Sequence, residues 1–251
     1  ERDPDWVETM IRGLTISGTG TVLGLVLLTA LGSGQALIPM EARHGMVVST
    51  QRLASEVGLD VLKRNGNAVD AAVATAFALA VVYPSCGNIG GEGFLLYRRS
   101  DGFATAIDFR VQAPAAASRG MFLDQDGKAF RSSPVEGLHI TDSPVSIGIP
   151  GTVAGLALAH RRYGSMPWAE LIAPAVKLAK RGFPVGAALS REMRESREYF
   201  RKYPSSAAFF LKRDGSVYEP GELWTQPDLA RTLERIQRGG EQEFYRGETA
   251  R

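Results

Sequence analysis

Residues 68–93 read AVDAAVATAFALAVVYPSCGNIGGEG, and their reading decides the fold. The first part, Ala68–Val82, is apolar nearly all round, which predicts a helix buried between layers rather than one lying on the surface. Pro84 ends it. The glycine-rich loop Gly87–Gly93 leads out of that helix into two β-rich runs, Phe94–Arg98 and Phe103–Phe109. Ser100-Asp101-Gly102 joins them, and Asp-Gly between such runs signals an antiparallel hairpin. Upstream, Gly45–Ser49 reads as a short strand, and Ser49 or Thr50 offers a side-chain oxygen to cap the helix that follows. Leu53, Val57 and Val61 form its apolar face, and Asn65-Gly66 closes it, with the glycine expected in the left-handed position. Strand, two helices, then a hairpin is an α+β order, not the alternation of a parallel doubly wound sheet.

Beyond Ala113-Pro114 the chain is loop-rich to about Ser146, with a turn expected at Asp126-Gly127. Ile149–Gly155 opens an apolar helix running to about Tyr163, and Trp168–Arg181 is a further amphipathic helix that Pro174 is expected to kink or split. The charged run Arg191–Lys202 reads as a solvated helix face. Asp228–Gln237 is the last clear helix, with capping-box-like spacing at Thr225 and Asp228 and an end at Gly239-Gly240.

Composition narrows the function. The chain of 251 residues is 44% hydrophobic and 22% charged, so a packed core is expected rather than disorder. A formal net charge of only +2, with both signs interspersed, gives no reason to expect nucleic acid or an anionic membrane as partner. One cysteine, Cys86, rules out an internal disulfide. With His44, His139 and His160 far apart there is no zinc-like spacing, so neither metal nor cofactor is expected. Met10-Ile11-Arg12, the apolar run Val22–Leu31 and the small residues Gly32–Ala36 form the pattern of a secretory signal cleaved after Ala36, too short for the about 20 apolar residues of a membrane span. An uncleaved anchor is the alternative. Residues 1–36 are therefore read as an extension plus leader, residues 37–251 as the folded domain, and the location as periplasmic or secreted.

Few side chains suggest chemistry. The glycine loop runs from a helix into a strand and lacks Lys-Ser/Thr, which argues against a phosphate cradle and for close backbone approach or positive φ. Cys86 has no partner to activate it and reads as a small buried residue at a helix end. His160 suits the end of its helix electrostatically. Arg110 closes the second hairpin strand. There its fork suits a substrate carboxylate, or else Asp108 two residues earlier holds it in a structural pair, and spacing alone favours the pair. No catalytic residue can be assigned.

Several segments together resemble γ-glutamyltransferase (glutathione hydrolase), of the N-terminal-nucleophile hydrolase superfamily. They are 45–51, Leu62–Thr75 with GNAVDAAVA, Gly87–Phe94, Ala106–Pro114, Met121–Lys128, Gly148–Gly164 with PGTVAG, Pro174–Phe183 and Glu243–Gly247, in family order. The resemblance implies a four-layer αββα sandwich, here incomplete because the small-subunit strands lie beyond Arg251. It implies a precursor that cuts itself, with the new N-terminal threonine of the small subunit as nucleophile and its own amine as base. It also implies that Arg110 salt-bridges the α-carboxylate of a small-molecule γ-glutamyl substrate, and that this chain alone is inactive. Two positions depart from the family pattern. Val111 stands where the family has glutamate after the arginine, and Glu92 interrupts a run of glycines. These leave room for other γ-glutamyl amides, for a β-lactam (cephalosporin) acylase of the same family, or for a non-catalytic partner subunit.

Overall fold

Helices α1 (Arg52–Lys63) and α2 (Ala68–Val82) begin the ordered framework of the computed structural model, which describes residues 41–124, 126–129 and 146–251. The leader expected at residues 1–36 lies outside the described residues. Gly45–Arg251 forms one unit. As the uniformly apolar sequence leads one to expect, most of α2 is buried, including Val69, Val73, Phe77 and Val81, and only the stripe of Ala68, Ala72, Ala76 and Leu79 is exposed or partly covered. Around it pack α1, helix α3 (Thr152–Tyr163) and helix α4 (Trp168–Arg181). Pro174 neither breaks nor splits α4, because the apolar face of Leu171, Ile172, Ala175 and Ala179 stays fully buried on both sides of it.

The hairpin forms as expected. Strand β1 (Phe94–Arg98) pairs antiparallel with β2 (Ala104–Asp108), Phe94 opposite Asp108, and Gly102 takes positive φ at the turn. One face of this ribbon packs toward the helices through Leu95, Tyr97 and Ile107, with the Tyr97 and Tyr163 rings 4.8 Å apart. The other face carries Phe94 and Leu96, which are 62% and 85% exposed, so this ribbon is apolar on both sides and covered on one. The turn at Asp126-Gly127 also forms: Gly127 has φ of 75°, and Asp124 Oδ1 accepts from the Asp126 and Lys128 amides.

Toward the C-terminus, β3 (Phe183–Pro184) pairs with β4 (Leu223–Trp224), enclosing α5 (Ala187–Glu195), α6 (Arg197–Arg201) and α7 (Pro204–Phe210). The charged run is thus split between two helices, and Met193 is turned inward. The last helical segment, α8 (Pro227–Arg246), is interrupted at Gly240, whose φ of 66° and ψ of −160° are not helical, so the glycine pair ends the first stretch as expected and a second stretch runs on to Arg246.

Several local expectations are corrected. Gly45–Ser49 is not a paired strand. Val47 turns inward and Val48 outward with strand-like alternation, but no neighbouring strand among the described residues offers hydrogen bonds. Gln51 takes the N-cap position of α1 without a side-chain bond, and neither Ser49 nor Thr50 caps it; the Ser49 hydroxyl is engaged with Gln51 and Ser55. Asn65, not Gly66, takes the left-handed position. Gln226 caps α8 without a side-chain bond, so no box forms between Thr225 and Asp228. Cys86 is exposed, because the chain turns tightly after Tyr83 and leaves the helical layer.

The capping box that does form is at α2. Asn67 Oδ1 accepts from the Val69 and Asp70 amides, and Asp70 Oδ2 accepts from the Asn67 amide. Asp70 is fully buried and also accepts from the Ser165 amide and hydroxyl and the Met166 amide, which fastens α2 to the α3–α4 turn. Burial penalises the charged carboxylate, but the bonds from Ser165, Asn67 and Met166 outweigh it and hold the pKa below its ordinary 3.8. A depressed carboxylate pKa stabilises the fold above the unfolded value, and that stabilisation is lost as pH falls through the folded one. Asp70→Asn should therefore cost about 3 kcal/mol at neutral pH. Urea denaturation from pH 7 down to pH 3 should show a shallower acid decline in the variant than in the parent chain.

Candidate active site

The site is built where β2 ends. Phe109 leaves the ribbon with its amide bonded to Gly93 O at 3.0 Å, and its ring and carbonyl lie against three glycines. A Cβ on Gly151 would stand 2.1 Å from Phe109 O, one on Gly155 2.2 Å from Phe109 Cγ, and one on Gly93 2.9 Å from the ring edge. None of the three has positive φ, so close approach is the reason for glycine here. The next residue is Arg110, whose position is inherited from this packing.

The glycine loop has a second task. Helix α3 has no side-chain N-cap, and Gly91 O accepts from both the Gly151 and Thr152 amides, at 2.9 and 3.1 Å. Tyr245, from α8, completes the cap: its hydroxyl accepts from the Ala154 amide at 3.1 Å and donates to Pro150 O at 2.8 Å. Burial raises the pKa of this phenol, so it stays a neutral donor and acceptor. The loop thus lies at a helix N-terminus after all, but a carbonyl oxygen occupies the place an anion would need.

Arg110 and Tyr245 line one cleft of about 340 Å³ with Phe109, Gln112, Pro150 and Leu158. The Gln112–Ile149 bridge closes one wall, with bonds of 3.1 and 2.7 Å. Asp108 does not hold the guanidinium. The chain has left the strand at Phe109, so the period-two face no longer continues, and Asp108 Oδ1 instead accepts from the Arg110 amide at 2.9 Å. The partner is Glu92, whose Oε2 lies 2.9 Å from Arg110 Nε and also accepts from the Val111 amide at 2.8 Å. Both terminal nitrogens of Arg110 are without a hydrogen bond or ion pair among the described residues, and the side chain is 58% exposed at the rim. Sequence reading missed Glu92 as partner and Tyr245 as cap. An acid inside a glycine run was the one available signal for the first.

Other candidates fall away from this cleft. His160 Nε2 donates to Met166 O at 2.7 Å and serves the α3–α4 turn. A larger groove of about 830 Å³ between α1 and α4 is lined by helix-surface groups such as the Arg64–Asp60 and Arg64–Glu170 pairs, and takes nothing from the glycine loop. Among the described residues there is no cluster of three or more His, Cys, Asp and Glu suited to a metal, and no helix long and apolar enough to cross a membrane.

Helices backing an antiparallel ribbon, with a glycine loop closing onto a helix start beside a strand-end arginine, define part of an N-terminal-nucleophile hydrolase sandwich. The chain belongs to the γ-glutamyltranspeptidase family, whose model matches residues 54–251. It is 45% identical over 213 residues to the glutathione hydrolase proenzyme of Escherichia coli (strain K12), covering 84% of this chain and 36% of that protein. The crystal structure of Helicobacter pylori γ-glutamyltranspeptidase matches with a TM-score of 0.78 and 41% identity, over 85% of this chain and 59% of that one. Cephalosporin acylase from Bacillus halodurans matches with a TM-score of 0.69 and 27% identity, over 85% and 40%. The chain spans little more than a third of the length of the curated relatives it matches.

The glycine contacts give a direct test. Gly151→Ala forces a methyl against the Phe109 backbone and should lose about 1–3 kcal/mol in chemical denaturation. Gly120→Ala, with nothing within 4 Å of the added carbon, should stay within about 0.5 kcal/mol of the parent.

Proposed function

We propose that this chain is the recognition part of a γ-glutamyl hydrolase and transpeptidase, in which Arg110 binds the α-carboxylate of the donor. One observation carries the reading: a guanidinium held at the rim of a cleft with its two terminal nitrogens uncommitted. Such a fork suits a carboxylate bidentately and stays charged at every relevant pH. The cleft lining offers no nucleophile paired with a base, so the attacking hydroxyl is assigned to the N-terminal threonine of a small subunit cut from the same precursor. That hydroxyl attacks the γ-carbonyl while its own α-amine takes the proton, the C–N bond breaks as that proton passes to the departing amine, and water or a second amine resolves the acyl-enzyme. Acyl transfer of this kind calls on no metal or organic cofactor, and residues 1–251 by themselves turn over no donor on this reading.

The bare face of the ribbon supports the subunit partner. Phe94 and Leu96 on β1, and Val48 upstream, present apolar side chains that a second sheet would bury. The leader-like pattern before Ala36 supports export, and N-terminal sequencing of the mature protein should begin just after that residue. A second reading, a cephalosporin acylase, is favoured by Val111 in place of an acid and by the likeness to the Bacillus halodurans enzyme.

The complete precursor separates the two. γ-Glutamyl anilide should be hydrolysed well above an acylated cephalosporin, and the reverse order would favour the acylase. In the γ-glutamyl case Arg110→Ala should raise KM by about tenfold to a hundredfold, the scale of one or two lost charge-assisted bonds, with a smaller change in kcat. An unaltered KM would remove Arg110 from substrate binding.

A further inference from the structure

The Glu92 carboxylate stands where the family pattern has glycine, yet it is built into the site. We infer that Glu92 is a positioning residue for Arg110, and that it selects end-on binding of the donor carboxylate; this deepens the γ-glutamyl reading and rests on it. A guanidinium can grip a carboxylate along its side, through Nε and one terminal nitrogen, or at its end, through both terminal nitrogens. Glu92 Oε2 stands in ion-pair contact 2.9 Å from Nε, so it contests the side grip and leaves the end fork open.

The same oxygen accepts from the Val111 amide at 2.8 Å, which anchors the acid to the backbone of the segment it serves. Asp108 fixes the Arg110 amide from the other side, at 2.9 Å. The Arg110 backbone is therefore fixed, and its Nε lies beside an anchored carboxylate, before substrate arrives. A flexible, half-exposed arginine loses rotamer freedom when it binds, and an arginine already held loses less. Val111 has no side-chain acid to offer, so the carboxylate that steadies this arginine comes from across the glycine loop.

Glu92 has an opposite possible effect, and the two differ in sign. As a positioning residue it lowers the KM of donors that carry an α-carboxylate. As a competitor for the guanidinium it raises that KM. The complete, processed enzyme should be compared with Glu92→Ala and Glu92→Gln, using γ-glutamyl anilide and its counterpart lacking the α-carboxylate, 4-aminobutyryl anilide, with thermal melts of each protein.

For Glu92→Ala the γ-glutamyl KM should rise about five- to tenfold, the scale of freezing one long side chain, with kcat changed less. Glu92→Gln keeps an oxygen facing Nε and the Val111 amide and should recover part of the loss. The donor without the carboxylate should show the same KM in all three proteins. A γ-glutamyl KM that falls or stays constant in Glu92→Ala overturns the inference while leaving the γ-glutamyl reading intact. Equal KM changes for both donors also overturn it, since they mark a general loosening of the site. A parent enzyme inactive on γ-glutamyl anilide overturns the γ-glutamyl reading itself, and the inference with it.

Discussion

Everything at the cleft depends on how closely Phe109 can approach helix α3. The ring and carbonyl of that residue sit where side chains at Gly93, Gly151 and Gly155 would otherwise be. Those glycines come from three places: the end of the loop, the helix cap and the first turn of the helix. Their joint absence of side chains brings the ribbon end, the loop and the helix start to one point. Gly91 O can then cap α3, and Arg110 emerges at the rim and not in the core. Glycine raises the entropy lost on folding, so three of them around one aromatic ring is a cost the sequence carries for position.

A second fixed point lies at the far end of α3. Asp70 ties the start of α2 to Ser165 and Met166, just after α3 ends. Helix α3 is thus held at its N-terminus by the glycine loop and Tyr245, and near its C-terminus by a buried carboxylate. Between them it packs on α2, with Val153, Leu156 and Ala159 buried in the common core. A helix pinned at both ends is a rigid support for a binding group, and rigidity at the support keeps a recognition fork in register with its ligand. Tyr245 brings the last helix into the same frame, so the C-terminal third of the chain also bears on the cleft.

Much of this was legible in the sequence because the relevant signals are local. The all-apolar run that became α2, the Asp-Gly turn and the helical periods of α3 and α4 each depend on neighbours in the chain. What was not legible depends on partners far away in sequence. The Gly45–Ser49 alternation reads as a strand, but a strand needs hydrogen-bonding neighbours that local sequence cannot supply. The cap of α3 comes from a loop about 60 residues upstream and a phenol 91 residues downstream, so no capping motif marks it. Asp108 seemed the natural partner of Arg110 because strand periodicity was extended one residue too far. Glu92 stood out only as an acid among glycines, and its purpose appears once the loop folds back on Val111. Asn65 displaced Gly66 because asparagine also tolerates the left-handed region, and because a side chain at position 66 would meet Val61 and Met166.

The ribbon's two faces and its end divide the work of the site. One face is consumed by the helical layer, the other is apolar and bare, and Arg110 stands at the corner where the strand ends. Sheets that stack face to face lie about 10 Å apart. A strand laid over Phe94 and Leu96 would therefore pass within the combined span of an extended arginine side chain and a glutamyl group. On the proposed reading this is why a nucleophile and a carboxylate receptor can belong to different polypeptides and still meet. On that reading the apolar contact with the second sheet would set the separation, and the guanidinium would set the orientation of the donor across it. Recognition needs only a fixed fork at a strand end, so it can be encoded entirely in the glycine loop, the hairpin and the start of α3. The attacking group needs a free chain terminus, which no residue inside a continuous strand or helix can provide. On the proposed reading, a division between chains would follow from that difference in chemical requirement.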